Sequence, residues 1–251
     1  MQIREVRMKN YSAFATIYDL MMDNIPYEEW EDFLLQLFYR EGVKPDASIT
    51  ELGCGTGTMT ALLDRDGFRM TGLDLSEDML RVARVKCPGV DFIQMDMRSL
   101  VLPEPQAVII SICDSMNYLE NVDDLTRVMK GVWDNLKYGG VFIFDLKTEF
   151  LFKYVIADRT YRDRGKGFSC VWKNHYDEES RTHTYDLAIK HRNPDGRRVV
   201  DREVHKQHVF TAAEIRQAAE SAGFKSARAY GEMSFIKPKK NSERIYICLR
   251  K

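Results

Sequence analysis

The period of the apolar positions changes twice along the chain. Between Glu28 and Arg40, Trp30, Phe33, Leu34, Leu37 and Phe38 recur at the spacing of one helical stripe, and Gly42 follows as a stop. Tyr11 to Met22 also reads as helix. From Ala47, short apolar runs alternate with helical stretches. ASITELG precedes MTALLDRDG, and FRMTGLDLS precedes a helix that Ser76 caps and that runs through Lys86. VDFIQMD and AVIISICD are further strands. In DDLTRVMKGVWDNLKYGG, Leu125, Val128, Met129, Val132, Trp133 and Leu136 share one helix face, with Gly139 and Gly140 at its end. VFIFDL is apolar enough to be buried on both sides. Such alternation predicts βαβ units and a parallel sheet.

After Lys147 the alternation stops. Residues 167–209 predict three antiparallel strands, beginning with FSCVWKNHY and THTYDLAIKHR, with DEES and Asn193-Pro194-Asp195-Gly196 as turns. Thr211 and Glu214 then form a capping box for a helix that Gly223 stops, and FKSARAY and RIYICLR supply two last strands. The expected organisation is a helical cap over residues 1–43, an α/β core over 44–146 and 210–251, and an inserted antiparallel β lobe over 147–209.

Composition narrows the partners. The 251 residues carry a net charge of -1, which excludes a protein held to nucleic acid by bulk charge alone. The charge is uneven: residues 1–43 hold four basic and eight acidic side chains, and residues 151–209 hold thirteen and nine. No apolar run has the length of a membrane span, and the first residues lack the apolar core of a secretory signal. The five cysteines are scattered and form no C-x-x-C pair, so a reducing, cytoplasmic setting is expected.

The stretch richest in chemistry is Glu51-Leu52-Gly53-Cys54-Gly55-Thr56-Gly57, a strand-to-helix turn. Without a Cβ, a ligand can touch the backbone there. The bland reading of such a loop is a tight turn, and three details argue for more. The spacing is G-x-G-x-G, and Thr58 stands where a dinucleotide fingerprint wants its third glycine. Glu51 would repel a pyrophosphate but welcome an ammonium. Asp74 ends the next strand, where a carboxylate can accept both hydroxyls of a ribose. Together they describe a site for a nucleoside with an amino-acid tail and no phosphate.

On these residues the chain resembles the class I S-adenosylmethionine-dependent methyltransferases. The match runs over about residues 45–146 and, less specifically, 210–251. Further landmarks are Asp96 in QMDM, Cys113 to Asn117 after the fourth strand, and Tyr138-Gly139-Gly140-Val141-Phe142. The resemblance implies a Rossmann-like, doubly wound, mostly parallel seven-stranded sheet whose last strand is antiparallel, with S-adenosylmethionine as cofactor. It also implies roles. Gly53, Cys54 and Gly55 lie against the methionine part and Glu51 helps hold its ammonium. Asp74 binds the ribose, Leu75 packs on adenine, Asp96 accepts from the adenine amino group and Met97 offers its backbone N–H to the ring. Cys113 lies under the sulfonium. The opening segment is similar to that of the amino-sugar N,N-dimethyltransferase and glycine-type group, in which such a cap covers the cofactor. Tyr11 and Tyr18 would line the methyl channel and Trp30 would approach the carboxylate end. The alternative for Tyr18 and Trp30 is plain cover for the core from an amphipathic helix.

All five histidines fall between 175 and 208. Their spacing lacks the carboxylate partners of a metal site, so no metal is expected, and solvated strand histidines are the favoured reading. One of them could serve as a base for a hydroxyl acceptor. The function expected is methyl transfer to a nitrogen or oxygen of a small molecule, with no membrane partner and nucleic acid disfavoured. The rivals are an RNA or protein methyltransferase of the same fold, a cofactor-binding protein without turnover, and a nicotinamide oxidoreductase, which Thr58 and Glu51 disfavour.

Overall fold

The computed structural model describes residues 15, 17–22, 25–192 and 196–251. Tyr11 and the residues 193–195 of the expected turn lie outside the described residues. In chain order the elements are α1 (Tyr18–Met21), α2 (Tyr27–Arg40), β1 (Ser48–Leu52), α3 (Thr58–Arg65), β2 (Arg69–Asp74), α4 (Glu77–Lys86), β3 (Asp91–Gln94) and β4 (Gln106–Ser111). They continue with α5 (Val122–Asn135), β5 (Leu136–Lys147), β6 (Thr160–Gly165), β7 (Phe168–Asp177), β8 (Thr182–Arg192), β9 (Arg198–His208), α6 (Ala212–Ala222), β10 (Ser226–Gly231) and β11 (Arg244–Arg250).

Seven strands form one sheet in the order β10-β11-β5-β4-β1-β2-β3. β1 to β5 are parallel, and β11 runs antiparallel to both β5 and β10. The chain order reverses at β1, and open α/β sheets bind ligands at such a switch point, beyond the carboxyl ends of the strands. One sheet face packs on Leu34, Leu37, Leu63 and Leu80 of α2, α3 and α4, and the other on Leu125, Val128, Ile215 and Ala218 of α5 and α6. Both faces are covered, which is why VFIFDL carries no polar alternation until Asp145.

The remaining strands make a second, antiparallel sheet in the order β6-β7-β8-β9. Its apolar face, with Tyr176, Tyr185, Leu187 and Ile189, shares a cluster with Ile17 and Met21 of the N-terminal segment and with Phe152. No helix among the described residues is long and apolar enough to cross a membrane.

Local chemistry accounts for the boundaries and for three departures from expectation. Ser76 caps α4 by accepting from the Met79 N–H, and Thr211 and Glu214 form the reciprocal capping box on α6. The second sheet has four strands where three were expected. The extra one, β6, is exposed at every residue and so has no apolar alternation to betray it. α5 ends at Asn135, short of the glycines, because the Asn135 side chain ties back to Leu100, Leu102 and Gly131. Gly139 and Gly140 instead open β5, where a Cβ on Gly140 would lie 2.8 Å from the Lys137 carbonyl oxygen. Of the helix expected from Tyr11 to Met22, Tyr18–Met21 form α1, and residues 11–14 and 16 lie outside the described residues. Finally, His183 and His205 are buried rather than solvated, because both point inward from alternate positions of the second sheet.

Candidate active site

A cavity of ≈ 1210 Å³ opens beyond the carboxyl ends of β1, β2 and β4. The glycine loop and Asp74 form one end of it, and the inner face of the second sheet, with Trp172, Tyr185 and His205, forms the other. Tyr18 and Met21 of α1 also line it.

Gly53, Gly55 and Gly57 all adopt positive φ, at 69°, 55° and 74°. Gly53 has a further, steric reason to be glycine. A Cβ on Gly53 would sit 2.7 Å from the Ser115 side chain, whose hydroxyl donates to the Gly53 carbonyl. A Cβ on Gly55 would meet nothing within 4 Å, so this bare stretch of backbone faces open cavity. Asp74 fixes it there: one carboxylate oxygen accepts the Gly55 N–H at 2.8 Å and the other accepts the Ser76 N–H at 2.8 Å. Burial raises the Asp74 pKa, and those backbone donors oppose the rise. Leu75 beside it is 64% exposed although apolar, and forms an open shelf at the cavity edge.

Glu51 sits at the end of β1, is 3% exposed and accepts a hydrogen bond from the Thr60 hydroxyl. Burial pushes its carboxyl up to about 7. Cys54 lines the cavity, but its N–H is committed to the Leu73 carbonyl at 2.9 Å and burial raises its thiol pKa. Asp96 and Met97 line the adjoining wall. Asp96 accepts from its neighbour Arg98 through the backbone N–H and two guanidinium nitrogens, which lowers its pKa and leaves it little spare capacity. Cys113 adopts φ 63° and lines the cavity, and burial pushes its thiol up to about 11. Trp30 is 4% exposed within the core, and it also borders the cavity. Tyr27 packs edge-on against it at 5.6 Å between centroids, and the Arg244 guanidinium lies 5.0 Å above its ring. Of the sequence-predicted residues, Tyr18, Trp30, Glu51, Gly53, Cys54, Gly55, Asp74, Leu75, Asp96, Met97 and Cys113 thus meet at one cavity, and Tyr11 is outside the described residues.

A buried polar group at the same cavity was not anticipated. Asp114 follows Cys113 in a second left-handed conformation, φ 55°. Its N–H donates to both oxygens of Asp145, at 3.1 and 3.2 Å. Its carboxylate accepts from Arg244 at 2.9 Å, Lys147 at 3.0 Å and Gln207 at 2.6 Å, and Arg244 also pairs with Asp145. Two successive left-handed non-glycine residues cost about 1–2 kcal/mol each, and these bonds hold them. Burial would raise the Asp114 pKa, but the Lys147 and Arg244 charges more than reverse this and lower it. The only hints in the sequence are charges interrupting apolar strands: Asp114 after AVIISIC, and Asp145 and Lys147 in VFIFDLK.

The comparisons agree with this arrangement. A family described as "Methyltransferase domain" matches residues 49–140, from β1 through the glycine pair. YqeM of Bacillus subtilis (strain 168), assigned by its name to the methyltransferases, is 30% identical over 246 residues, 96% of this chain and 97% of its own. The chain belongs to the methyltransferase family. It is 32% identical over 123 residues, 47% of its length, to the dTDP-3-amino-3,4,6-trideoxy-alpha-D-glucopyranose N,N-dimethyltransferase of Streptomyces venezuelae, covering 52% of that protein. In fold it is similar to an S-adenosylmethionine-dependent methyltransferase from Clostridium acetobutylicum ATCC 824, with a TM-score of 0.83 at 24% identity over 96% of this chain and 99% of the other. The protein is an enzyme, and S-adenosylmethionine is its methyl donor. The residues present fit that donor. Gly55 offers backbone to open space, and Asp74 keeps acceptor capacity beyond its two backbone bonds. Buried Glu51 gives an ammonium a partner and a pyrophosphate none.

Proposed function

We propose that the enzyme transfers the methyl group to a nitrogen or oxygen of a small molecule, held where the second sheet roofs the cavity. One observation carries this reading: the cavity has two ends. The glycine loop, Glu51 and Asp74 form a donor end, and Trp172, Tyr185 and His205 form an acceptor end. Ligand pockets usually measure about 300–1000 Å³, and ≈ 1210 Å³ gives a donor and a second small molecule room together. The amino-sugar dimethyltransferase among the relatives supports an amine as one acceptor class.

In this reading Asp74 takes the ribose hydroxyls, Leu75 lies under adenine, and Met97 and the remaining capacity of Asp96 meet the adenine edge. Gly53, Cys54 and Gly55 lie along the methionine part, Glu51 meets its ammonium, and Trp30 borders its carboxylate. Cys113 and Tyr18 surround the transferred methyl. Residues 1–43 act as the cap, 44–146 and 210–251 hold the donor, and 147–209 choose the acceptor. S-adenosylmethionine supplies an already activated methyl, so the protein aligns the acceptor and excludes water. α1 is fastened for that purpose: Asp19 accepts from Thr56 of the glycine loop at 2.5 Å and pairs with Lys86 at 2.9 Å.

The test is release of S-adenosylhomocysteine when a protein-free, RNA-free metabolite extract is added to enzyme and donor. Release above the extract-free blank is expected. Release only with RNA or protein would contradict the reading.

A further inference from the structure

We propose that Tyr118, His205 and Glu203 form the path by which the methyl acceptor gives up its proton: Tyr118 meets the acceptor, His205 stores the proton and Glu203 positions His205. This rests on the small-molecule reading above. The three residues come from two separate parts of the fold. Tyr118 ends the short helical turn Ser115–Tyr118 that leaves β4, and its side chain lines the cavity. Glu203 and His205 lie two apart on β9, so both point inward. His205 also lines the cavity, although it is only 4% exposed.

The bonds run in one direction. The Glu203 carboxylate lies 3.1 Å from His205 Nε2, and the Tyr118 hydroxyl lies 3.4 Å from His205 Nδ1. The Tyr118 and His205 rings meet edge to face, 6.0 Å apart at 86°. An ionised carboxylate only accepts, so it selects the tautomer with the proton on Nε2. Nδ1 then carries a lone pair toward the Tyr118 hydroxyl. Burying a carboxylate costs free energy unless it is paired, and an apolar residue would serve packing at position 203 better. The pair has a use because its open end reaches the cavity.

The proton balance closes. As the acceptor atom bonds to the methyl carbon, the carbon–sulfur bond breaks and its electron pair stays on sulfur. The acceptor proton passes to the Tyr118 oxygen while the Tyr118 proton passes to His205 Nδ1. The positive charge lost by the donor reappears as an imidazolium beside the Glu203 carboxylate. Polar groups near His205 include Tyr185, its cross-strand partner on β8, His183 against Tyr185, and, beyond Gln207, Lys147 and Arg244 paired with Asp114.

Two measurements on the full chain test the path. The first is nitrogen-15 NMR of the histidines in enzyme saturated with S-adenosylhomocysteine, with His205 assigned by its absence in His205→Gln. With one ring proton, His205 should carry it on Nε2, and Glu203→Gln should shift the balance toward the Nδ1–H tautomer. A parent enzyme with the Nδ1–H tautomer would overturn the proposal. The second is label transfer from methyl-labelled donor into the metabolite extract. His205→Gln and the isosteric Tyr118→Phe should each slow transfer about tenfold or more, within the usual range for a general base. Their calorimetric affinity for S-adenosylhomocysteine should stay close to that of the parent. Unchanged transfer in both variants would overturn the path. If the parent transfers no label, the small-molecule reading fails, and the tautomer measurement still decides on the relay.

Discussion

Asp74 is the residue on which donor binding should turn most visibly. Its carboxylate keeps Gly55 in place and has capacity left for hydroxyls. Bonds to a charged group are each worth about 1.5–3 kcal/mol. Asp74→Ala should therefore weaken S-adenosylhomocysteine about tenfold or more by calorimetry, with the fold retained by circular dichroism. The glycines make a paired prediction. Gly53→Ala drives a Cβ into Ser115 at a left-handed φ, so thermal stability should fall. Gly55→Ala pays only the backbone cost, about 1–2 kcal/mol, and loses affinity because its methyl enters the cavity. Glu51 should give binding a pH signature. Its folded pKa of about 7 lies above the ordinary 4.5, so the free fold binds more protons than the unfolded chain between those values. Stability from this group is full below about 4.5 and is lost as pH rises through 7. A bound ammonium favours the carboxylate, so donor binding below pH 7 should release a proton, seen as buffer-dependent calorimetric heat that Glu51→Gln abolishes. Asp74 and the glycines were legible in the sequence because their spacing carries the chemistry. Asp114 and Arg244 were not, because residues 130 positions apart meet only when β5 and β11 pair.

At the scale of elements, periodicity revealed whatever has one apolar side. α2, α5 and α6 were readable from their stripes, and the parallel strands from their alternation with helices. β6 was hidden because it has no buried side, and the end of α5 because a side chain and not a glycine closes it. The second sheet showed as antiparallel, but the inward direction of its histidines needed the register Tyr185↔His205 to become clear. Trp172, Tyr185 and His205 all line the cavity from this sheet. Trp172→Ala should accordingly change the rate of methyl transfer or the range of acceptors used in an extract, while S-adenosylhomocysteine affinity stays within a few-fold. Lost donor binding with an intact fold would place the second sheet in the donor site instead. The α6 capping box should matter only for stability: Thr211→Ala should cost about 0.5–2 kcal/mol in denaturant unfolding, with transfer unaffected.

Across the whole molecule, one buried charge network joins the two sheets. Asp145 and Lys147 come from β5, Arg244 from β11, Gln207 from β9 and Asp114 from the loop after β4. Removing one cation leaves a carboxylate uncompensated in a dry setting, so Arg244→Met should destabilise the fold by about 3–5 kcal/mol in denaturant unfolding. The network holds Cys113 and Asp114 in their left-handed turn, and with them the point where the donor end of the cavity meets the acceptor end. We propose that a single cavity holds two small molecules with the methyl passing between them. This is tested most directly by offering enzyme and methyl-labelled S-adenosylmethionine three pools in competition: metabolites, total RNA and total protein. The label should enter the metabolite pool alone, at a rate that Asp74→Ala lowers at limiting donor. Label in RNA or protein, with none in the metabolites, would contradict the account.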